Sequence, residues 1–564
     1  MKRYKYPYGI SNFETVRTEN YYYVDKTEYI EKLENDDKYI MILRPRRFGK
    51  SLFLNTLDYY YNKLYANKYE EVFKGTYIYD NPTPLKNKYM VLNLDFSGID
   101  TSTLEETEES LLFHLKSSIK KFMKLNIQYY SNEDFKMLNQ SKKPVDTLKV
   151  IFDRLEEEKV YKNLLVLIDE YDHFANNIFG QGKQHFAQLV KTEGFLRPFF
   201  ETLKVGTKSV IDRIVITGVL PILRDSLTSG FNIIKNKSTD KKYNALYGFK
   251  QENIDEILKN INAEEHKELV KTYYNGYVFS SQATEKMYNS DMALFFATEY
   301  DSEEKKLPMS LIDYNVISDY TKIKSIIKIA NEEIEKEVLE EIIFNEQIET
   351  TEIKDGIILS KESLELFTRE SIITLLYYIG YLTLEPTKSL TKIKLIIPNY
   401  AMKSLYLEYM KYMFEKRGTI KLETTEKQEA LEDLAHGKIE PYITMIEKYL
   451  EGLSNRDYQR FDEKYIKVVM MTSLSPNNVY KMISEKEEGQ KYNDLMILSN
   501  RKEIKSYIIE LKYLKATATE EEFNVKKEEG LKQIKYYKEN TDYENTDYYL
   551  IMFKKDKCVE MVKA

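Results

Sequence analysis

A single cysteine, Cys558, in 564 residues excludes an intramolecular disulfide and any cysteine-rich zinc site, and it suits a reducing compartment. The five histidines, at 114, 173, 185, 266 and 436, are scattered, and no pair has the spacing of zinc ligands. Tryptophan is absent. Glycine and proline are scarce, at 19 and 12, which argues against fibrous or low-complexity sequence. No apolar run is long enough to cross a bilayer: the longest, Ile372 to Leu384, falls short of about 18 residues and reads as a buried helix and strand. The basic start, Met1-Lys2-Arg3, meets Pro7, Gly9 and Asn12 where a signal peptide needs an apolar segment. An excess of positive charge is missing too: the net charge is −7, so any nucleic-acid contact must come from a local basic surface. These absences lead to the expectation of a folded cytoplasmic, intracellular protein without a membrane partner.

What is present is a chain 42% hydrophobic and 31% charged, long enough for several cores at about 150 residues per domain. Lys38 to Leu43 is a short apolar run followed by a basic, proline-containing loop, and Lys50 to Leu57 then reads as helix. Further buried-strand runs are Met90 to Phe96, Leu164 to Ile168 and Arg213 to Thr217, and a long helix begins near Thr103. Continuous apolar strands alternating with helices predict a parallel sheet covered on both faces. From about 251 to 400 the pattern is mainly helical, with strand-like ends at Leu382 to Leu384 and Leu395 to Ile397, as in a helical lid carrying a small winged-helix unit. Glu332 to Glu349 reads as one helix with a solvated acidic face. Mixed-charge helices follow to about 455, and short strands return at 493–498, 505–512 and 547–553. The expected division is a P-loop core at 1–250, lid at 251–400, helical connector at 401–455 and a last domain at 456–564.

The segment Arg44-Pro45-Arg46-Arg47-Phe48-Gly49-Lys50-Ser51 ends in the Gly-Lys-Ser of a P-loop and lies between a buried strand and a helix N-terminus. Backbone amides of Arg46, Arg47, Phe48, Gly49, Lys50 and Ser51 are expected to ring a phosphate, aided by the helix dipole. Lys50 would reach the β and γ oxygens and Ser51 would coordinate Mg²⁺. Arg44 stands where the first glycine of the motif belongs, and Gly-Lys-Ser alone is common at ordinary helix starts. The companion signal is Ile168-Asp169-Glu170 after an apolar strand, where Asp169 can hold Mg²⁺ and Glu170 can polarise water. Unpaired acids at the end of a buried strand are costly as packing. Thr217, at another strand end, is a candidate γ-phosphate sensor or a plain strand terminus. Arg197 and Arg224 are candidate arginine contacts, though surface salt bridging fits them better. His173 is read as structural or solvent-facing.

At these residues the sequence resembles the AAA-ATPase-like family commonly fused to a PD-(D/E)XK nuclease-like domain. The resemblance rests on Tyr8-Gly9-Ile10, Tyr23-Val24-Asp25-Lys26-Thr27, the Arg44 to Ser51 string, Leu167 to Asp172, and Thr217-Gly218-Val219. It continues through Tyr274 to Phe279, Gly380 to Thr383 and Ile397-Pro398-Asn399. Arg44 fits the family loop. The departure is Val219-Leu220-Pro221, where the family pattern places a basic residue after Val-Ser. The implied fold class is multidomain α/β: an AAA-like P-loop NTPase with a helical and winged-helix lid, then an α/β restriction-endonuclease-like domain.

Asn493 to Leu498 and Lys505 to Lys512 flank a polar turn and read as an antiparallel hairpin. A hairpin pivoting about residue 502 sets Asp494 opposite Glu510, and strand period puts Lys512 on the face of Glu510, with Tyr507, Ile509 and Leu511 pointing into the core. In a PD-(D/E)XK nuclease Asp494 and Glu510 would bind Mg²⁺ or Mn²⁺, and Lys512 would orient or activate water. Asp…Glu-x-Lys alone is a weak signal, since charges alternate on many solvent-facing strands. Upstream, Asp462 or Glu463 resembles the acid of the family's first helix. Downstream, Gln533 and Tyr537 lie one turn apart on a helix like its glutamine-bearing one.

These residues lead to the expectation of an ATP-binding, ATP-hydrolysing protein with a metal-dependent nuclease-like domain acting on nucleic acid, DNA ahead of RNA. A homo-oligomer is compatible with the sequence. The alternatives are a nucleotide-switched binding or signalling protein that holds nucleic acid or protein without cutting, and an NTPase motor or remodeller whose last domain is a tether.

Overall fold

In a computed structural model of the chain, the described residues are 4–100, 102–173, 197–221, 231–313, 315–316, 332–356, 368–386, 389, 391–416, 424–451, 462–475, 477, 479–488, 491–541 and 543–564. The chain divides into two compact units, one of Met1–Pro308, Ile312–Leu339 and Gln347–Asn399, the other of Met309–Leu311, Glu340–Glu346 and Tyr400–Ala564.

The first unit is built on a parallel sheet of β1 (Tyr39–Leu43), β2 (Met90–Asp95), β3 (Leu164–Asp169), β4 (Ile211–Gly218) and β5 (Lys235–Asn236), ordered β2-β3-β4-β1-β5. The expected apolar runs form its strands. Leu164 to Ile168 are all buried, because a strand covered on both faces cannot alternate with polar residues. Strand β2, at the sheet edge, exposes Asn93 and Asp95. Strand β4 lies between β1 and β3, so the carboxyl ends of β1 and β3 flank a crevice, the usual place for a ligand in an open α/β sheet. The helix expected near Thr103 is Leu104–Leu125, its first turn capped by the Thr103 hydroxyl.

Helices Gln251–Asn260, Lys267–Tyr274, Ser290–Glu299 and Arg369–Tyr378 follow in the same unit, with an antiparallel sheet of β6 (Gln347–Thr350), β7 (Thr383–Glu385) and β8 (Ile393–Ile396), ordered β6-β8-β7. The Ile372 to Leu384 run is the expected helix and strand. The acidic stretch from Glu332 is not one helix: it stops at Asn345, Glu346 turns with φ 55°, and β6 pairs with β8. Ile348 and Thr350 are buried and alternate with exposed Gln347 and Glu349, a period of two that a helical reading overlooks.

In the second unit, helices Tyr400–Lys416, Thr424–Ala435, Glu440–Glu451 and Glu463–Leu474 precede a mixed sheet. Its strands are β9 (Tyr480–Glu488), β10 (Lys491–Ser499), β11 (Ser506–Leu514), β12 (Thr546–Lys554) and β13 (Lys557–Lys563), ordered β13-β12-β11-β10-β9. Helix Glu520–Asn540 joins the parallel pair β11 and β12, as such a crossover requires. Both faces of β11 are covered. Ile508 and Leu514, on the face of Glu510, pack in a core with Ile534, Tyr537 and Leu550. On the other face the Tyr507 hydroxyl donates to Leu434 O at 2.5 Å. Glu510 therefore sits in a second core layer, and Asp494 is half-buried, rather than both lying on an open face. Strands β9 and β13 escape the sequence pattern, since both lie at sheet edges and carry many charges.

Candidate functional site

The loop after β1 turns through Arg47, with φ 68°, and Gly49, with φ 85°, a left-handed conformation that glycine adopts without strain. The helix Lys50–Tyr61 then starts with no side chain capping it, so its first N–H groups remain available to an anion. The loop lines a cavity of about 440 Å³ that also receives Glu170 and His173. Lys50 is buried, and its Nζ donates to Pro45 O at 2.8 Å, inside the loop it would leave to meet a phosphate. Burial pushes Lys50 down to about 8 and outweighs the attraction of Asp169, Asp172 and Glu170.

Asp169, at the end of β3, borders one cavity with Ser51, and burial pushes it up to about 6 against the opposing effect of the Ser51 hydroxyl. The two candidate Mg²⁺ ligands thus line the same space. Glu170 has φ 47° and reaches a second cavity of about 370 Å³ bordered by Ser51, Asn93, Asp95, Ser97 and Asp169, with leucines also in its wall. Its carboxylate is held below the ordinary range by the His173 hydrogen bond, ahead of the opposing effect of burial.

Thr217 is brought to neither cavity: it is fully buried and its hydroxyl donates to Ile42 O at 3.1 Å. The sensor role expected of it has no geometric support, because a strand-end threonine between two core strands satisfies its hydroxyl locally. Arg44 points away from the phosphate loop, with Nη1 donating to Leu43 O and Ser238 O, both at 2.7 Å, and Nη2 to Tyr243 O at 2.8 Å. Its guanidinium lies 4.2 Å from the Phe279 ring centroid. Asp172 is buried and accepts from Val219 N and Leu220 N at 3.0 and 2.7 Å. A Cβ at Gly218 would stand 2.2 Å from its Oδ1, so glycine is required there by close approach. Arg197 pairs with Glu201 at 3.0 Å, and Arg224 lies outside the described residues.

Sequence reasoning missed the rest of this cavity. Tyr22, Tyr23 and Lys26 line it opposite to nothing that a P-loop pattern names, together with Tyr247 and Asp291. Asp291 opens the helix Ser290–Glu299, and burial raises it to about 6 near Arg47 and Lys50. Arg47 Nη1 is paired to Asp313 at 2.9 Å. The only advance signal was the Tyr8 and Tyr23 motifs of the resemblance, which carried no assigned role.

In the second unit the β10–β11 register, Leu495↔Ile509 and Met496↔Ile508, places Asp494 opposite Glu510 at the next step. Asp494 Oδ2 accepts from Leu511 N at 2.9 Å, and Lys512 Nζ donates to Glu510 Oε1 at 2.6 Å. Glu510 is completely buried. Burial, and then the Asp494 carboxylate, push Glu510 well above the usual carboxylate range, and burial raises Asp494 as well. Glu510 Oε2 is buried with no hydrogen-bond partner. Two close carboxylates, one with an unsatisfied oxygen, fit a hard divalent cation. Among the described residues no group of three acids, histidines or cysteines is arranged to hold a metal.

The ambiguity between Asp462 and Glu463 is resolved by their places on the helix Glu463–Leu474. Asp462 is its N-cap and accepts from Tyr465 N at 3.0 Å. Glu463 accepts from Tyr513 N at 3.2 Å, and its charge acts on both Asp494 and Lys512. Lys467, one turn on and buried, also acts on Asp494 and was missed. Tyr537 is buried, and burial followed by the Glu510 and Asp494 charges raises its hydroxyl, with Gln533 opposing. Lys515 and Lys535 are exposed, whereas Lys526 Nζ is engaged by Tyr513 O at 2.8 Å.

Comparison with known proteins agrees with both halves. Residues 7–228 match the family model described as predicted AAA-ATPase, and residues 461–562 match that of the PD-(D/E)XK nuclease superfamily. Over 302 residues the chain is 27% identical to an uncharacterized protein in the vnfD 5′ region of Azotobacter chroococcum mcd 1. The match covers 52% of each chain, so this chain spans about half the length of that relative. Among the described residues no helix is long and apolar enough to cross a membrane. The chain therefore carries an AAA-ATPase-like region at residues 7–228 and a PD-(D/E)XK nuclease-superfamily region at residues 461–562.

Proposed function

We propose that this protein binds and hydrolyses ATP with Mg²⁺ at the Lys50 loop and cleaves nucleic-acid phosphodiesters with Mg²⁺ or Mn²⁺ at Asp494, Glu510 and Lys512. DNA is the favoured polymer over RNA, the setting is cytoplasmic, and self-association is compatible with it. Nucleotide state in the first unit gates the second. The observation that carries the ATP reading is the gathering of Lys50, Ser51, Asp169 and Glu170 around adjoining cavities at the carboxyl ends of β1 and β3. Lys50 would exchange Pro45 O for phosphate oxygens, Ser51 and Asp169 would hold the cation, and Glu170 would take a proton from water.

For the nuclease, the supporting observation is fully buried Glu510 opposite half-buried Asp494, with Lys512 Nζ 2.6 Å from Glu510 Oε1. A divalent cation there supplies charge for the attacked phosphoryl oxygens. Lys512 then orients water or meets charge developing in the transition state. The test is incubation of pure protein with duplex and single-stranded DNA and RNA, with Mg²⁺ or Mn²⁺, with and without ATP. Metal-dependent cleavage that responds to ATP is expected. Binding without cutting under every condition would replace this reading with a nucleotide-switched binder.

A further inference from the structure

His173 sits at the edge of the nucleotide cavity and ties two loops together. Its backbone N–H donates to Glu170 O at 2.9 Å, closing a tight turn in which Glu170 has φ 47°. Its ring Nδ1 is 3.0 Å from Glu170 Oε2. On the other side of the ring, Gly98 N donates to Nε2 at 3.4 Å. A backbone amide can only donate, so Nε2 is the acceptor and the neutral ring carries its proton on Nδ1, facing the carboxylate. Gly98 follows β2, beside Ser97 in the wall of the second cavity. The imidazole therefore fixes the Glu170 side chain against a wall of the space where attacking water would stand.

We propose that His173 is a positioning residue for ATP hydrolysis, holding Glu170 Oε2 through Nδ1–H so that Oε1 faces the attacking water. This rests on the reading of Glu170 as the hydrolytic base. In that step the water oxygen bonds to the γ-phosphorus and its proton passes to Glu170. The bond from the γ-phosphorus to the bridging oxygen breaks, and its electron pair leaves with ADP.

The experiment compares steady-state ATP turnover and binding of a fluorescent ATP analogue by the full chain and its variants. His173→Ala is expected to lower kcat roughly 10- to 100-fold while leaving KM and analogue affinity within about twofold, because the base is misplaced and the phosphate loop untouched. His173→Asn, whose amide N–H falls near the Nδ1 place, should recover most of the loss. His173→Gln, whose amide falls near Nε2, should not. Unchanged kcat in His173→Ala, loss of affinity in parallel with kcat, or no recovery in a normally folded His173→Asn overturns the proposal. A wild-type protein that binds the analogue and never hydrolyses ATP would instead remove the hydrolytic reading itself, and the positioning role with it.

Discussion

Replacing Arg44 by glycine completes the textual P-loop pattern, with glycine at both 44 and 49 before Lys50-Ser51, and yet the structure requires the change to be harmful. The guanidinium makes three hydrogen bonds of 2.7 to 2.8 Å to Leu43 O, Ser238 O and Tyr243 O. Each such bond to a charged donor contributes about 1.5–3 kcal/mol, and the Phe279 face adds about 0.5–2 kcal/mol. Releasing the buried cation returns several kcal/mol of desolvation. The remainder, with the carbonyls left buried, is a loss of about 3–5 kcal/mol, the size met when one partner of a buried charged contact is removed. Domains are stable by only about 5–15 kcal/mol, so the melting temperature of the nucleotide-binding unit should fall by on the order of 10 °C. Scanning fluorimetry with and without Mg²⁺-ATP would read this, with Arg44→Met as the control that keeps the bulk and drops the charge. Arg44→Gly that melts like wild type and binds ATP at least as tightly would refute the assignment of Arg44 as the clamp of this loop.

Lys50→Ala should abolish turnover and weaken ATP binding by at least about 100-fold in isothermal titration; equal affinity would remove the phosphate-site assignment. Glu170→Gln should bind ATP normally and turn over at least about 100-fold more slowly, whereas Asp169→Asn should lose the Mg²⁺ dependence of binding. Asp494→Ala, Glu510→Ala and Lys512→Ala should each eliminate metal-dependent cleavage, measured on labelled DNA, without additive effects in the doubles and with ATP turnover intact. Lys26, with Nζ on Ala245 O, is lowered by burial to about 8. Its folded value lies below an unfolded one of about 10.4, so the strain is complete below pH 8 and fades as pH rises toward 10. Lys26→Met should therefore melt higher than wild type at pH 7, with the gap narrowing at pH 10; a gap that does not narrow would show that Lys26 is not strained.

The sequence by itself located β1 to β4 by their apolar runs, most plainly at Leu164 to Ile168, because a parallel strand covered on both faces must be continuously apolar. It also determined the Asp494–Glu510 juxtaposition, since hairpin pairing and a period of two are local rules that survive folding unchanged. Strands β9 and β13 were not legible, because edge strands tolerate charge and lose the pattern. Only the tertiary structure decided that Arg44 clamps carbonyls contributed by residues 238 and 243, that Thr217 is satisfied inside the sheet, and that Gly98 N meets the His173 ring. It likewise decided that Glu463, rather than Asp462, turns toward the carboxylate pair. Each depends on partners far along the chain or on a helix phase set by its cap. Residue type and spacing fix what a side chain can do, and burial against distant elements fixes which of those options remains.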